Sequence, residues 1–123
     1  LEAAVELASP RGLRVLPLRG FILGNRRTAL GADELLAAVL VPAHRAAVPS
    51  AFAKLGARSH LVISIAMAAA DAEGRAAIGA CSEVARMWEE GMDPISDVRA
   101  DAAYRRRAAR VLVERARALA GAA

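Results

Sequence analysis

The chain has one cysteine, four aromatic residues and a single lysine in 123 positions, and each scarcity excludes something. Cys81 alone rules out an internal disulfide. Aromatics at 3% leave the core to Ala, Leu, Val and Ile, so its elements must pack closely, and they leave little to stack on nucleic-acid bases. Two histidines and one cysteine, none at metal-ligand spacing, make a metal site an unfavourable reading. The longest apolar run, residues 61–70, is interrupted by Ser64 and is about half the roughly 20 residues a spanning helix needs. Nothing at the start reads as a charged, apolar and cleavable signal, and a soluble protein in a cytoplasmic setting is expected. There is no strand–GxGxxG–helix fingerprint and no Walker loop, so this chain does not cradle a pyrophosphate by a glycine-rich loop of its own.

What is present is arginine. Sixteen arginines and Lys54 against 13 acidic residues give a formal net charge of +4. That balance invites an acidic partner, yet the basic residues are scattered apart from 105–107, so no nucleic-acid partner is expected. Lys54 stands out because an ammonium is a compact point charge, whereas guanidinium is a planar fork.

The sequence begins at Leu1, and "LEAAVELASPRGLRVLPLRGF" reads as an extended, alternating segment, which suggests a piece of a longer polypeptide. Residues 15–18 and 21–23 are short extended pieces about Gly20, followed by a polar turn at 24–28. Asp33 is a cap candidate before "ELLAAVLVP", read as a helical turn feeding a strand that Pro42 stops. Residues 43–49 read as a loop. Residues 50–55 form a strand with Phe52 and Lys54 on one side and Ala51, Ala53 and Leu55 on the other. "LVISIAMAAA", "DAEG" and "RAAIGACSEV" make a hairpin, although 61–72 also permits a helix, since Ala and Met form helices well. Residues 88–94 are irregular. Asp101 caps a final helix from Ala102 to about Ala120, with Tyr104, Ala108, Leu112 and Leu119 on its apolar face. Arg115 falls on that face and calls for a carboxylate, with Asp97 or Asp101 as the candidates.

Four segments taken in order, "LRGFILGNRRTALGADELLAAVLVP", "SAFAKLGARSHLVISIAMAAA", "GRAAIGACSEVA" and "ISDVRADAAYRRRAARVLVERARAL", resemble the C-terminal domain of the FAD-binding subunit of molybdenum hydroxylases. This is the group of the carbon monoxide dehydrogenase medium subunit and the flavin portion of xanthine dehydrogenase. The resemblance spans roughly residues 16–119 and closes on an Asp–x–Arg…Tyr–Arg pattern at Asp97, Arg99, Tyr104 and Arg105. It implies an α+β fold: a small antiparallel sheet of three or four strands packed against a layer of helices. It also implies that 1–17 is the tail of an upstream FAD-binding domain and 18–123 the C-terminal domain. The implied function is to pass electrons from iron–sulfur clusters to FAD in a molybdenum hydroxylase, with this domain covering the isoalloxazine side of the flavin. The molybdenum cofactor and the iron–sulfur clusters would sit in partner subunits or domains, and no membrane span is implied. By resemblance, Lys54 is a cation near the flavin's polar edge and Leu36 packs against the ring. Arg58, Glu34 and Thr28 support them, with Thr28 and Glu34 as caps of the loop that presents Leu36. The alternative is a subunit-assembly domain of the same fold without flavin contact. Two departures stand out: Asn25 occupies a position where the family usually has tyrosine, and 86–92 is shorter than the family's helical segment there.

Overall fold

The computed structural model describes residues 2–60 and 62–121 and divides into two compact units, Leu1–Ala47 and Val48–Ala123. The first unit opens with a hairpin of β1 (Ala4–Ser9) and β2 (Gly12–Pro17), in register from Ala4 opposite Pro17 to Ser9 opposite Gly12. Its turn is tightened by Ser9, whose hydroxyl donates to the Gly12 carbonyl at 3.2 Å, and Gly12 takes φ +121°, a conformation glycine adopts without steric cost. A helical turn, α1 (Leu18–Phe21), leads to the small ladder of β3 (Ile22–Gly24) and β4 (Arg27–Thr28). Strand β5 (Leu35–Leu40) then pairs antiparallel with β1, giving the order β2-β1-β5 with a bulge where Leu7 meets Leu36.

Val5, Leu7 and Phe21 form this unit's core, with Leu16, Leu18 and Ala29 packed around them. The expected loop over 43–49 instead starts with a helical turn, α2 (Ala43–Ala46). Pro42 precedes the turn, and its carbonyl accepts from Arg45 and Ala46 at 2.9 and 3.0 Å. β1 and β2 share a sheet with β5, and compactness divides the chain at Ala47 and Val48.

The second unit is an antiparallel sheet of β6 (Ser50–Leu55), β7 (Ala66–Asp71), β8 (Ala76–Gly79) and β9 (Arg86–Met87), in that order, with α3 (Ala102–Gly121) packed across β6 and β7. Residues 66–71 are a strand, which settles the helix alternative; Leu61 lies outside the described residues. Alanine is a weak strand former. It is used here for its size: Ala66, Ala68 and Ala70 face Ala109, Leu112, Val113 and Ala116 within one buried cluster with Ala76, Ile78 and Cys81. The burial term for such a core depends on close approach, because each methyl contributes little on its own.

Helix α3 begins where Asp101 accepts from the Tyr104 N–H at 2.6 Å, as the cap reading requires. Its buried face differs from the expected one. Arg105, Ala109, Leu112, Val113, Ala116 and Ala120 point inward, while Tyr104 and Leu119 are exposed. The buried arginine is therefore Arg105 and not Arg115, which lies on the exposed side. Its guanidinium donates to the carbonyls of Ile65 and Ala80 and, at 2.6 Å, to Asp97 Oδ1. Asp97 also takes Arg99, whose backbone N–H reaches it at 2.8 Å. Together these hydrogen bonds, Arg99's first, hold its carboxyl well below the usual carboxylate range.

Removing this guanidinium leaves the carbonyls of Ile65 and Ala80 without their donor and takes one of the two arginines from Asp97, which keeps Arg99, so Arg105→Ala is expected to cost about 2–5 kcal/mol of stability, read as a lowered urea midpoint. Arg115→Ala, at an exposed position, is expected to stay within about 0.5 kcal/mol.

Candidate functional site

Lys54 lies on β6, the edge strand of the second sheet, and the strand's alternation sends Ser50, Phe52 and Lys54 outward and Ala51, Ala53 and Leu55 toward the core side. Phe52 is 59% exposed. The lysine is not left to wander: its Nζ donates to the Val62 carbonyl at 2.9 Å, across the connection that follows the strand. That approach depends on Gly56. A Cβ there would lie 2.3 Å from Val62 Cγ1, so only a bare backbone lets Val62 fold back beside Lys54. The Ile65 N–H closes the connection on the Leu55 carbonyl at 2.8 Å.

Around this arrangement is a shallow depression of about 380 Å³ lined by Lys54, Leu55, Gly56, Arg58 and Ser59. Two cations and a hydroxyl line it without a carboxylate, so the depression suits an oxygen-rich or anionic group. One N–H of the ammonium is committed to Val62, and its other donors remain for such a group.

The remaining candidates lie in the first unit. Leu36 sits at the β5 bulge opposite Leu7 and is 47% exposed. Glu34 closes the turn before it from both ends: its N–H donates to the Gly31 carbonyl at 3.1 Å, and its Oε2 accepts from the Gly31 N–H at 2.6 Å. Arg14 grips both carboxylate oxygens of Glu34 and also donates to the Ala29 carbonyl at 2.9 Å. The Arg14 hydrogen bond first, and the Gly31 N–H second, lower the Glu34 carboxyl from 4.5 to about 2. Thr28 ends β4, and its hydroxyl meets the Leu30 N–H only at 3.5 Å, a weak contact. The structure thus groups Thr28, Glu34 and Leu36 in one unit, and Lys54 and Arg58 in the other.

Asp97 does not take Arg115, as the sequence suggested, but Arg99 and Arg105. Sequence reasoning missed Arg105, Gly56 and Val62. The signal for Arg105 was present in the Asp–x–Arg…Tyr–Arg pattern, which contains all three members of the buried network. Nothing in the sequence marks a backbone carbonyl such as that of Val62.

No family model matches the chain. The fold is shared with solved molybdenum hydroxylases. Quinoline 2-oxidoreductase from Pseudomonas putida 86 matches with a TM-score of 0.86 at 25% identity, over 98% of this chain and 53% of that one. Reconstituted CO dehydrogenase from Oligotropha carboxidovorans matches with a TM-score of 0.87 at 26% identity, over 99% of this chain and 54% of that one. In sequence, the nicotinate dehydrogenase FAD-subunit of Eubacterium barkeri is 43% identical over 68 residues, covering 53% of this chain and 23% of that subunit. The chain thus spans about a quarter of its curated relative and about half of the matched structures. Its fold class is the α+β arrangement of the carbon monoxide dehydrogenase flavoproteins. In sequence and fold the chain is similar to the FAD-binding subunits of the molybdenum hydroxylases, as the four segments implied.

Two outcomes test the local geometry. Gly56→Ala forces Val62 away from Lys54 and is expected to cost about 1–3 kcal/mol of stability in denaturant titration. Glu34 has a depressed carboxyl, so its stabilisation is complete above about pH 4.5 and is lost as pH falls toward about 2. Across that window the unfolding midpoint should fall less steeply for Glu34→Gln than for the parent protein; parallel curves would remove the Arg14–Glu34 pair from the acid response.

Proposed function

We propose that this chain is part of the FAD-binding subunit of a molybdenum hydroxylase and helps to enclose the flavin, in the path of electrons that arrive from iron–sulfur clusters. The observation that supports this most is Lys54: an outward ammonium beside an exposed phenylalanine, steadied by the Val62 carbonyl at the rim of a depression whose lining side chains include no carboxylate. Its donors fit the carbonyl oxygens and the developing negative charge at the polar edge of a flavin ring. They do not fit a pyrophosphate cradle, which needs a glycine-rich loop this sequence lacks. FAD would supply the two-electron to one-electron redox chemistry. The residues of this chain would bind and orient its ring and keep water from it.

In this reading Lys54 stabilises charge on the reduced ring, Leu36 packs against the ring, and Arg58 supports the polar side. Glu34 and Thr28 hold the turn that presents Leu36. Residues 1–47 would continue an upstream FAD-binding domain, and 48–123 would form the C-terminal domain, which shifts the division implied by the resemblance from 17/18 to the boundary of the compact units. The molybdenum cofactor and the iron–sulfur clusters would belong to partner subunits or domains, and the assembly to the cytoplasm.

The test is Lys54→Ala in the complete polypeptide with its FAD. Loss of one charge-assisted hydrogen bond, worth about 1.5–3 kcal/mol, is expected to make the flavin midpoint potential more negative or to weaken FAD retention about tenfold or more, with Lys54→Arg restoring part of either. Unchanged potential and retention would remove Lys54 from the site. A complete polypeptide that carries no FAD, even when supplied with it, would overturn the reading as a whole.

A further inference from the structure

A lone ammonium near the end of a strand orients a ligand poorly, because its flexible stem lets it stand in many places. One hydrogen bond to a backbone oxygen beside water restrains it only modestly. The bond from Lys54 Nζ to the Val62 carbonyl is exposed, so what it can fix depends on how firmly Val62 is seated.

Val62 is seated at two points. Its side chain lies over the bare Cα of Gly56, where a Cβ would stand 2.3 Å from Cγ1 and 3.4 Å from both Cβ and Cγ2. Further on, Ile65 is fixed through both of its backbone groups: its N–H donates to the Leu55 carbonyl at 2.8 Å, and its carbonyl accepts from the buried guanidinium of Arg105. Ile65 is itself buried, just before the pairing of Leu55 with Ala66. The stretch 62–65 therefore returns along the end of β6 from a fixed point. At its other end a β-branched side chain, stiff about its first torsion, sits in a notch that glycine alone leaves open. Lys54 and Gly56 are two residues apart, so ammonium and notch share one strand end.

We propose that Gly56 and Val62 are positioning residues for Lys54, which set where its ammonium stands before any flavin is bound. The proposal rests on the reading of Lys54 as the cation at the polar edge of the ring. A donor held in place beforehand needs no reordering as negative charge develops, and that is the condition under which it stabilises such charge most. A free lysine would first have to be ordered, at a cost to binding.

The test uses the complete polypeptide, first without FAD and then with it. Acetylation by dilute acetic anhydride, followed by mass spectrometry of the peptide that contains Lys54, reads how closely the amine is held. Val62→Ala empties the notch and is expected to raise that rate about three- to tenfold, the equivalent of one such hydrogen bond. Val62→Thr, of the same branched shape, should keep the parent's rate. With FAD bound, Val62→Ala is expected to move the flavin midpoint potential in the direction of Lys54→Ala. In the double change Lys54→Ala and Val62→Ala it should add nothing, because one residue acts through the other. Gly56→Ala, which displaces the valine instead of shrinking it, should reproduce both results. Equal acetylation rates in the parent and both variants would overturn the proposal. So would a potential that shifts with Lys54→Ala but not with Val62→Ala, or shifts that add in the double variant. If Lys54→Ala itself leaves the potential unchanged, the flavin reading fails, and the acetylation rates alone then decide the hold on Lys54.

Discussion

The second unit depends on one buried charge. Arg105 has no exposure to solvent, so its donors must be met inside the protein, and they are met by Ile65 just before β7, by Ala80 just after β8, and by Asp97 in the segment before the helix. One side chain therefore ties the first turn of α3 to the entry of one strand and the exit of the next. Ala80 holds φ +60° at that exit, an unfavourable conformation for alanine that turns its carbonyl toward the guanidinium. An apolar core of alanine methyls has little shape of its own, and a helix on such a surface has many near-equivalent seats. Fixed hydrogen bonds at one end of α3 select one of them.

Much of this architecture was legible because it follows from periodicity and punctuation. The β6 alternation of Phe52 and Lys54 against Ala51, Ala53 and Leu55, the turn at 71–74 with Gly74 at φ +87°, and the Asp101 cap each rest on local chemistry that survives folding. The α3 face was misplaced for a physical reason. Hydropathy puts Tyr104, Ala108, Leu112 and Leu119 inside with Arg115 among them, yet the sheet needs small residues for close packing and chose the Ala109, Ala116 and Ala120 side, carrying Arg105 in with it. A polar side chain enters a core when several fixed acceptors await it, and those acceptors are backbone carbonyls from distant positions that no local window contains.

The candidate site divides in the same way. Lys54 was visible as the only lysine on the outward face of a strand, and Glu34 as an acid at the mouth of a turn. The parts that position them were not. Val62 acts through its carbonyl, and Gly56 acts through the absence of a side chain, so neither has a chemical signature in the sequence. Arg14 reaches Glu34 from 20 residues away along the hairpin, and only the β2-β1-β5 order makes them neighbours.

The preference for lysine at position 54 now has a geometric basis. Its ammonium ends on a single carbonyl 2.9 Å away, in a space closed on one side by Val62 packed over Gly56. An ammonium can donate to that one oxygen and still turn its other protons outward, because its donors are arranged about a point. A guanidinium is longer and flat, and would either overshoot the Val62 carbonyl or lie across the depression that Arg58 and Ser59 border. In a chain that uses arginine at every other basic position, the one place where a compact cation is held against a backbone oxygen is the place where lysine appears.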